Sequence, residues 1–207
     1  MNNTLIDNSI EALSMTATLR KCLDIDGIQT VSIATGYWDI PGLAILQKSL
    51  RSFIEKDGTT LRLLIGKDPY IYANQLKSPK YKDSNYPLDF IKTDIHELNV
   101  TEEYKDAIRL LLDYCSKSND SKIQIRVFRK NANDETQFLH SKCYIFDGKQ
   151  NGIGIGIVGS TNFTQKGLQG NAELNYIETA PNQVLSLDAI PGNKSHLLWF
   201  NEKWEIS

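Results

Sequence analysis

No run of about eighteen consecutive apolar residues occurs in this sequence, so nothing in it reads as a membrane-spanning helix. Its start, MNNTLIDNSIEALSM, lacks a basic leader followed by an apolar core, so no secretory signal is visible. Cysteine is scarce: Cys22, Cys115 and Cys143 lie far apart and form no Cys-x-x-Cys pair. That argues against a disulfide framework and a thiolate zinc site, and for a reducing, cytoplasmic compartment. Basic charge is also not in excess. Lys and Arg number 23 against 25 Asp and Glu, a net charge of −2. That argues against a polycationic coat for nucleic acid and does not exclude a local basic cleft. Internal repeats and low-complexity linkers are absent.

What is present fits one domain of 207 residues with a sizeable core. A short first helix is expected within Asn2–Leu19, with Leu5, Ile6, Ile10 and Leu13 as its stripe. Ile28–Thr35 reads as a β-branched strand followed by Gly36-Tyr37-Trp38. Ligand-contacting loops of α/β sheets lie at such carboxyl ends. Tyr37 and Trp38 read as core packing, with a base-stacking surface as the alternative. Pro41-Gly42 opens a helix to about Lys56, stopped by Asp57-Gly58, and Thr60–Ile65 is the next strand. Together these make a parallel βαβ unit.

Lys67–Leu98, with three prolines, four tyrosines and several lysines, reads as an irregular insertion. Thr101–Ser116 is an amphipathic helix with Glu102 and Glu103 in its first turn, where they suit the dipole. Lys122–Arg129 is a strand. Its alternate parity carries Lys122, Arg126 and Lys130, either a solvated face or a contact with a phosphate backbone. Lys149 and Lys166 are further candidates for that contact. Ser195–Trp204 reads as a last helix. The expected fold is α/β: a mixed, largely parallel sheet with helices on both faces.

The chain is organised around Phe138–Glu173. Phe138–Asp147 reads as a strand ending in an Asp-Gly turn. Alternation places His140 and Lys142 on one face. Ile153–Val158, glycine alternating with Ile or Val, reads as a closely packed neighbour. It breaks at Gly159-Ser160, and a helix start is expected at Asn162–Gln165. Such a bend offers backbone N–H groups and short polar side chains to an anion. Ala172–Glu178 is expected to return Glu173 to the same end.

Phosphodiester hydrolysis needs a nucleophile, a proton donor for the leaving oxygen, and donors for the charged non-bridging oxygens. Neutral His140 can attack phosphorus. Lys142, Ser160 and Asn162 can hold the oxygens. Glu173 can accept from the second ring nitrogen of His140 and fix its tautomer. Such a set needs neither a metal ion nor another cofactor.

His140-x-Lys142, then Asp147, then Gly159-Ser160-x-Asn162 resembles the signature of the phospholipase D superfamily. Glu173 falls where small bacterial nucleases of that superfamily carry a glutamate that contacts the histidine. The gap from Asp147 to Gly159 is longer than the usual pattern and implies a hairpin extension. Asp147 itself matches a residue the family uses structurally. Val31–Gly66 is similar to the opening βαβ unit of the phospholipase-D-like domains attached to bacterial helicases and restriction enzymes.

The resemblance implies a nuclease acting on DNA through a phosphohistidine. The family's site uses two HxK motifs, and this chain has one, so the resemblance implies a homodimer pairing two His140 residues. It also allows this domain to be the N-terminal part of a longer helicase or restriction protein. The alternatives are a phospholipase or other phosphodiesterase, and a catalytically quiet nucleic-acid-binding module.

Overall fold

The computed structural model describes residues 5–66, 101–115, 121–128, 138–188 and 191–207. The insertion expected at Lys67–Leu98, with His96, and the candidate Lys130 lie outside them.

Seven strands form one sheet. They are β1 (Leu5–Ile6), β2 (Thr30–Thr35), β3 (Thr60–Ile65), β4 (Ile123–Val127), β5 (Cys143–Gly148), β6 (Ile153–Gly159) and β7 (Asn175–Glu178). Their order across the sheet is β1-β7-β6-β5-β2-β3-β4. The sheet is mixed, as expected. Only the β2–β3 and β3–β4 ladders are parallel, however, and the other four pairings are antiparallel. The expectation of a largely parallel sheet is therefore corrected. In the motif half the tight turn Gly148–Gly152 can join only antiparallel neighbours, here β5 and β6, and β6 returns antiparallel to β7 through residues 160–174.

Helices cover both faces. One face carries α1 (Met15–Leu23), α2 (Ile40–Ile54) and α3 (Glu102–Tyr114). Their apolar stripes, including Leu19, Leu43, Leu46, Leu50 and Leu110, pack with Ile33, Tyr144 and Ile157 from the sheet. The other face carries α4 (Pro181–Leu185) and α5 (His196–Glu205), where Leu185, Phe200 and Trp204 pack on Ala34, Leu64 and Ile145. α1 starts later than expected because Ser14, whose hydroxyl accepts from the Ala17 amide, caps it. The segment before it instead supplies the edge strand β1.

The glycines of β6 are explained by what lies over them. A side chain at Gly154 would meet Leu185, and one at Gly156 would meet the His196 ring at 3.0 Å. Ile155 and Ile157 fill the opposite face. The alternation seen in the sequence is thus a small-against-large division between two helical layers.

The pairing also brings one set of strand ends together. Ala34, near the end of β2, pairs with Cys143 at the start of β5. Cys143 pairs with Val158 near the end of β6, and Gly159 pairs with Asn175 at the start of β7. The histidine motif, the Gly-Ser bend and the segment before β7 therefore share one edge with the carboxyl ends of β2 and β3.

Candidate active site

β5 begins at Cys143, so His140 and Lys142 stand in an extended approach segment just outside the ladder, not within the expected strand from Phe138. That segment lies across the ends of β2 and β3. A side chain at Gly66 would meet the Leu139 carbonyl at 2.5 Å and the Phe138 ring at 2.7 Å. One at Gly36 would meet the same carbonyl at 3.3 Å and Asn162 Oδ1 at 3.4 Å. Two glycines at strand ends thus form the bed on which the histidine segment rests. Sequence reading missed them in this role, although each sits where a β-branched or leucine-rich strand stops.

His140 is exposed. Its ring is 5.7 Å from that of Phe138 and 6.5 Å, edge-on, from that of Tyr37. Tyr37 therefore stands beside the histidine, while Trp38 is buried in the core. Lys142 is buried, and its Nζ donates to the His140 carbonyl at 2.8 Å. Burial lowers the affinity of this amine for its proton, and the negative charge of Glu173 opposes that shift. The nearness of Glu173 is thus part of the environment of Lys142.

The Gly-Ser bend is tied down from two sides. Asn162 Oδ1 accepts from the Tyr37 amide at 3.1 Å. Thr35 Oγ1 donates to the Tyr37 carbonyl at 2.6 Å and accepts from the Phe163 amide at 3.0 Å. Asp39, which caps α2, also accepts from the Gln165 amide at 3.0 Å, and burial pushes its carboxyl group up. The Asn162 carboxamide oxygen is thereby spent on architecture, and its Nδ2 donors remain for a ligand. A single π turn, Lys166–Gly170, stands where a longer helix was expected. Within it, any side chain at Gly167 would meet the Asn162 carbonyl at 2.4 Å, so the turn packs closely against the Gly-Ser bend.

Ser160 Oγ donates to Glu173 Oε2 and accepts from the Leu174 amide at 3.0 Å. Glu173 Oε1 accepts from Asn171 Nδ2 at 3.1 Å. The expected bond from His140 to Glu173 is not among the hydrogen bonds of the described residues; the carboxylate is engaged by Ser160 and Asn171. Beneath them, buried Asn175 accepts from the Thr161 amide at 3.2 Å and donates to Thr161 Oγ1 at 2.8 Å. Asn175 was missed as a positioning residue, yet a polar residue at an inward strand position was the available signal.

The remaining sequence candidates divide. Arg126 lies over the Trp204 ring at 4.6 Å and donates to the Trp204 carbonyl at 2.8 Å, so it joins α5 to the sheet. Lys149 is exposed in the turn after β5 and Lys166 is exposed in the π turn. Asp147 stands at the far end of β5, where Oδ1 accepts from the Lys149 amide at 2.9 Å. Among the described residues, no group of three or more His, Cys, Asp or Glu side chains could hold a metal ion.

An exposed imidazole beside a buried amine, a carboxamide with free donors and a hydroxyl–carboxylate pair are groups able to attack and hold a phosphate diester. The family model described as "Cardiolipin synthase, PLD-like domain" matches residues 25–190. The chain belongs to the phospholipase D superfamily. Among solved structures it is similar to NucT from Helicobacter pylori, with a TM-score of 0.50 and 13% identity, covering 98% of this chain and 94% of that one. That likeness is one of fold. A yeast tyrosyl-DNA phosphodiesterase has a TM-score of 0.40 and 10% identity over 77% of this chain, which spans 28% of its length. No curated protein matches the sequence significantly.

Proposed function

We propose that the protein is a metal-independent endonuclease whose nucleophile is His140. The reading rests on one observation: the segment carrying His140, the Asn162 bend and the Ser160–Glu173 pair meet at a single sheet edge. DNA is the proposed substrate. Arg126 is engaged with Trp204 and Lys149 stands at the far end of β5 from His140, so exposed Lys166 is the retained candidate for a backbone contact, together with Lys130.

The chemistry has two displacements. Neutral His140 attacks phosphorus, a P–N bond forms, and the bond to the leaving oxygen breaks. His140 of a second protomer, as imidazolium, protonates that oxygen. The same imidazole, now neutral, takes a proton from water, and the resulting nucleophile breaks the P–N bond. Lys142 and the Asn162 Nδ2 group hold the non-bridging oxygens, whose charge grows in both transition states. Ser160 and Glu173 brace the wall opposite. One HxK per chain leaves the second imidazole to a partner copy, so the proposed active form is a homodimer with two coupled histidines.

Purified protein is tested for DNA cleavage in EDTA, with its oligomeric state measured at the same concentration. The proposal expects a dimer, cleavage without added metal, and none in His140→Ala. Cleavage that vanishes in EDTA and returns with magnesium would overturn it, as would an active strict monomer. DNA binding with no cleavage would instead point to the quiet binding module.

A further inference from the structure

Behind the catalytic approach segment, on the α5 side of the sheet, lies a cavity of about 400 Å³ that the proposed mechanism does not use. Pockets for small organic ligands start at roughly 300 Å³. The cavity shares Lys142 and Gly159 with the catalytic strand ends, so its contents lie next to the reacting phosphate.

Its walls have a mixed chemistry. Trp199, half-buried, is the aromatic wall, while Cys143 and Val158 are apolar. Lys194 and His196 line the cavity at the start of the helix that carries Trp199. The Nδ1–H of His196 donates to the Gln183 carbonyl at 3.2 Å, because a carbonyl can only accept. Its Nε2 has no hydrogen-bond partner among the described residues, and neither has the Ser141 hydroxyl. Lys194 is paired with Glu202 at 2.6 Å on the exposed rim, an exchangeable surface contact.

We propose that this cavity binds the nucleotide flanking the scissile phosphate, with its base stacked on Trp199 and its outer phosphate at Lys194. The inference rests on the phosphodiesterase reading above and adds a subsite to it. A flat aromatic wall with few fixed polar groups accepts any base, so the subsite supplies affinity with little base preference. Trp38 and Trp204 are buried, which leaves Trp199 as the tryptophan able to report a bound base by fluorescence.

The test uses the full chain carrying His140→Ala, so that no turnover is required, and a fluorescein-labelled single-stranded pentathymidylate followed by anisotropy. Trp199→Ala should weaken binding roughly 5- to 100-fold. Trp199→Phe should restore most of it. Lys194→Glu, an exposed change that leaves the packing alone, should weaken binding and reduce its dependence on salt. Unlabelled pentathymidylate should quench the tryptophan emission of the parent. Equal affinity in the parent, Trp199→Ala and Lys194→Glu would overturn the subsite, and continued cleavage by the wild-type chain would then leave the nuclease reading intact. Trp199-dependent binding by a chain that never cleaves DNA would do the reverse.

Discussion

The Asn162 carboxamide oxygen accepts a hydrogen bond from the backbone amide of Tyr37 at 3.1 Å, joining residues 125 positions apart. This bond fixes the Gly-Ser bend against the end of β2 and uses the carboxamide oxygen, leaving the Nδ2 donors. Under the proposed mechanism, structure and chemistry use opposite ends of one side chain, and substitution can separate them. Asn162→Ala leaves the Tyr37 amide without its acceptor and should cost about 1–3 kcal/mol in urea unfolding. Asn162→Asp keeps an acceptor for Tyr37 and should retain most of that stability. Both should lower turnover by about a hundredfold or more, because both remove the donor that the proposed mechanism gives to the phosphate oxygen.

Glu173 and Lys142 are linked electrostatically. The carboxylate raises the proton affinity of the amine, while burial lowers it and prevails. Glu173→Gln removes the opposing charge, so the Lys142 ammonium loses its proton at lower pH than in the parent. The alkaline limb of the rate profile should move to lower pH. A limb that stays in place would separate Glu173 from the charge state of Lys142.

The same burial has a consequence for stability. The folded-state proton affinity of Lys142 lies below its ordinary value of 10.5. Between the folded and ordinary values the unfolded chain binds more protons, so stability rises with pH there. Lys142→Met removes this dependence. Its stability relative to the parent should be most favourable at neutral pH and should decline as pH rises toward 10.5. Paired urea titrations across the alkaline range read this difference, and the variant should be inactive throughout.

Gly66 tests the bed beneath the histidine segment. A methyl group there would sit 2.5 Å from the Leu139 carbonyl, so the segment must move. Gly66→Ala should cost about 1–3 kcal/mol of stability. Activity should fall further, by roughly a hundredfold, because a displacement near 1 Å at the proposed nucleophile is enough for that. Kinetics and denaturation of the same sample check the disproportion.

Much of this architecture was legible in the residues themselves. The strand Thr60–Ile65 is observed with the bounds expected, because a leucine-rich run between Asp-Gly and Gly has little freedom. Helix α3 lies within the expected span for a similar reason: Thr101 caps it and its apolar stripe is clean. The sheet's direction was less legible. Strand spacing shows where strands are, whereas direction depends on which neighbours the turns allow. The candidate site residues were singled out through motifs, since each carries side chains with chemistry, and the fold brings their segments to one sheet edge. Its supports were not, because Gly36, Gly66, Thr35 and Asn175 act through close approach and hydrogen bonds between distant segments. The partner assigned to Glu173 also differs, since the short route to Ser160 and Asn171 is available within the same loop.

The central claim is that phosphorus is attacked first by the His140 imidazole and only afterwards by water. Stereochemistry reads this directly, using DNA with one phosphorothioate of known configuration cleaved in oxygen-18 water. Two in-line displacements give net retention at phosphorus, which is the result expected here. Inversion would mean that water attacks in a single step, and His140 would not be the nucleophile.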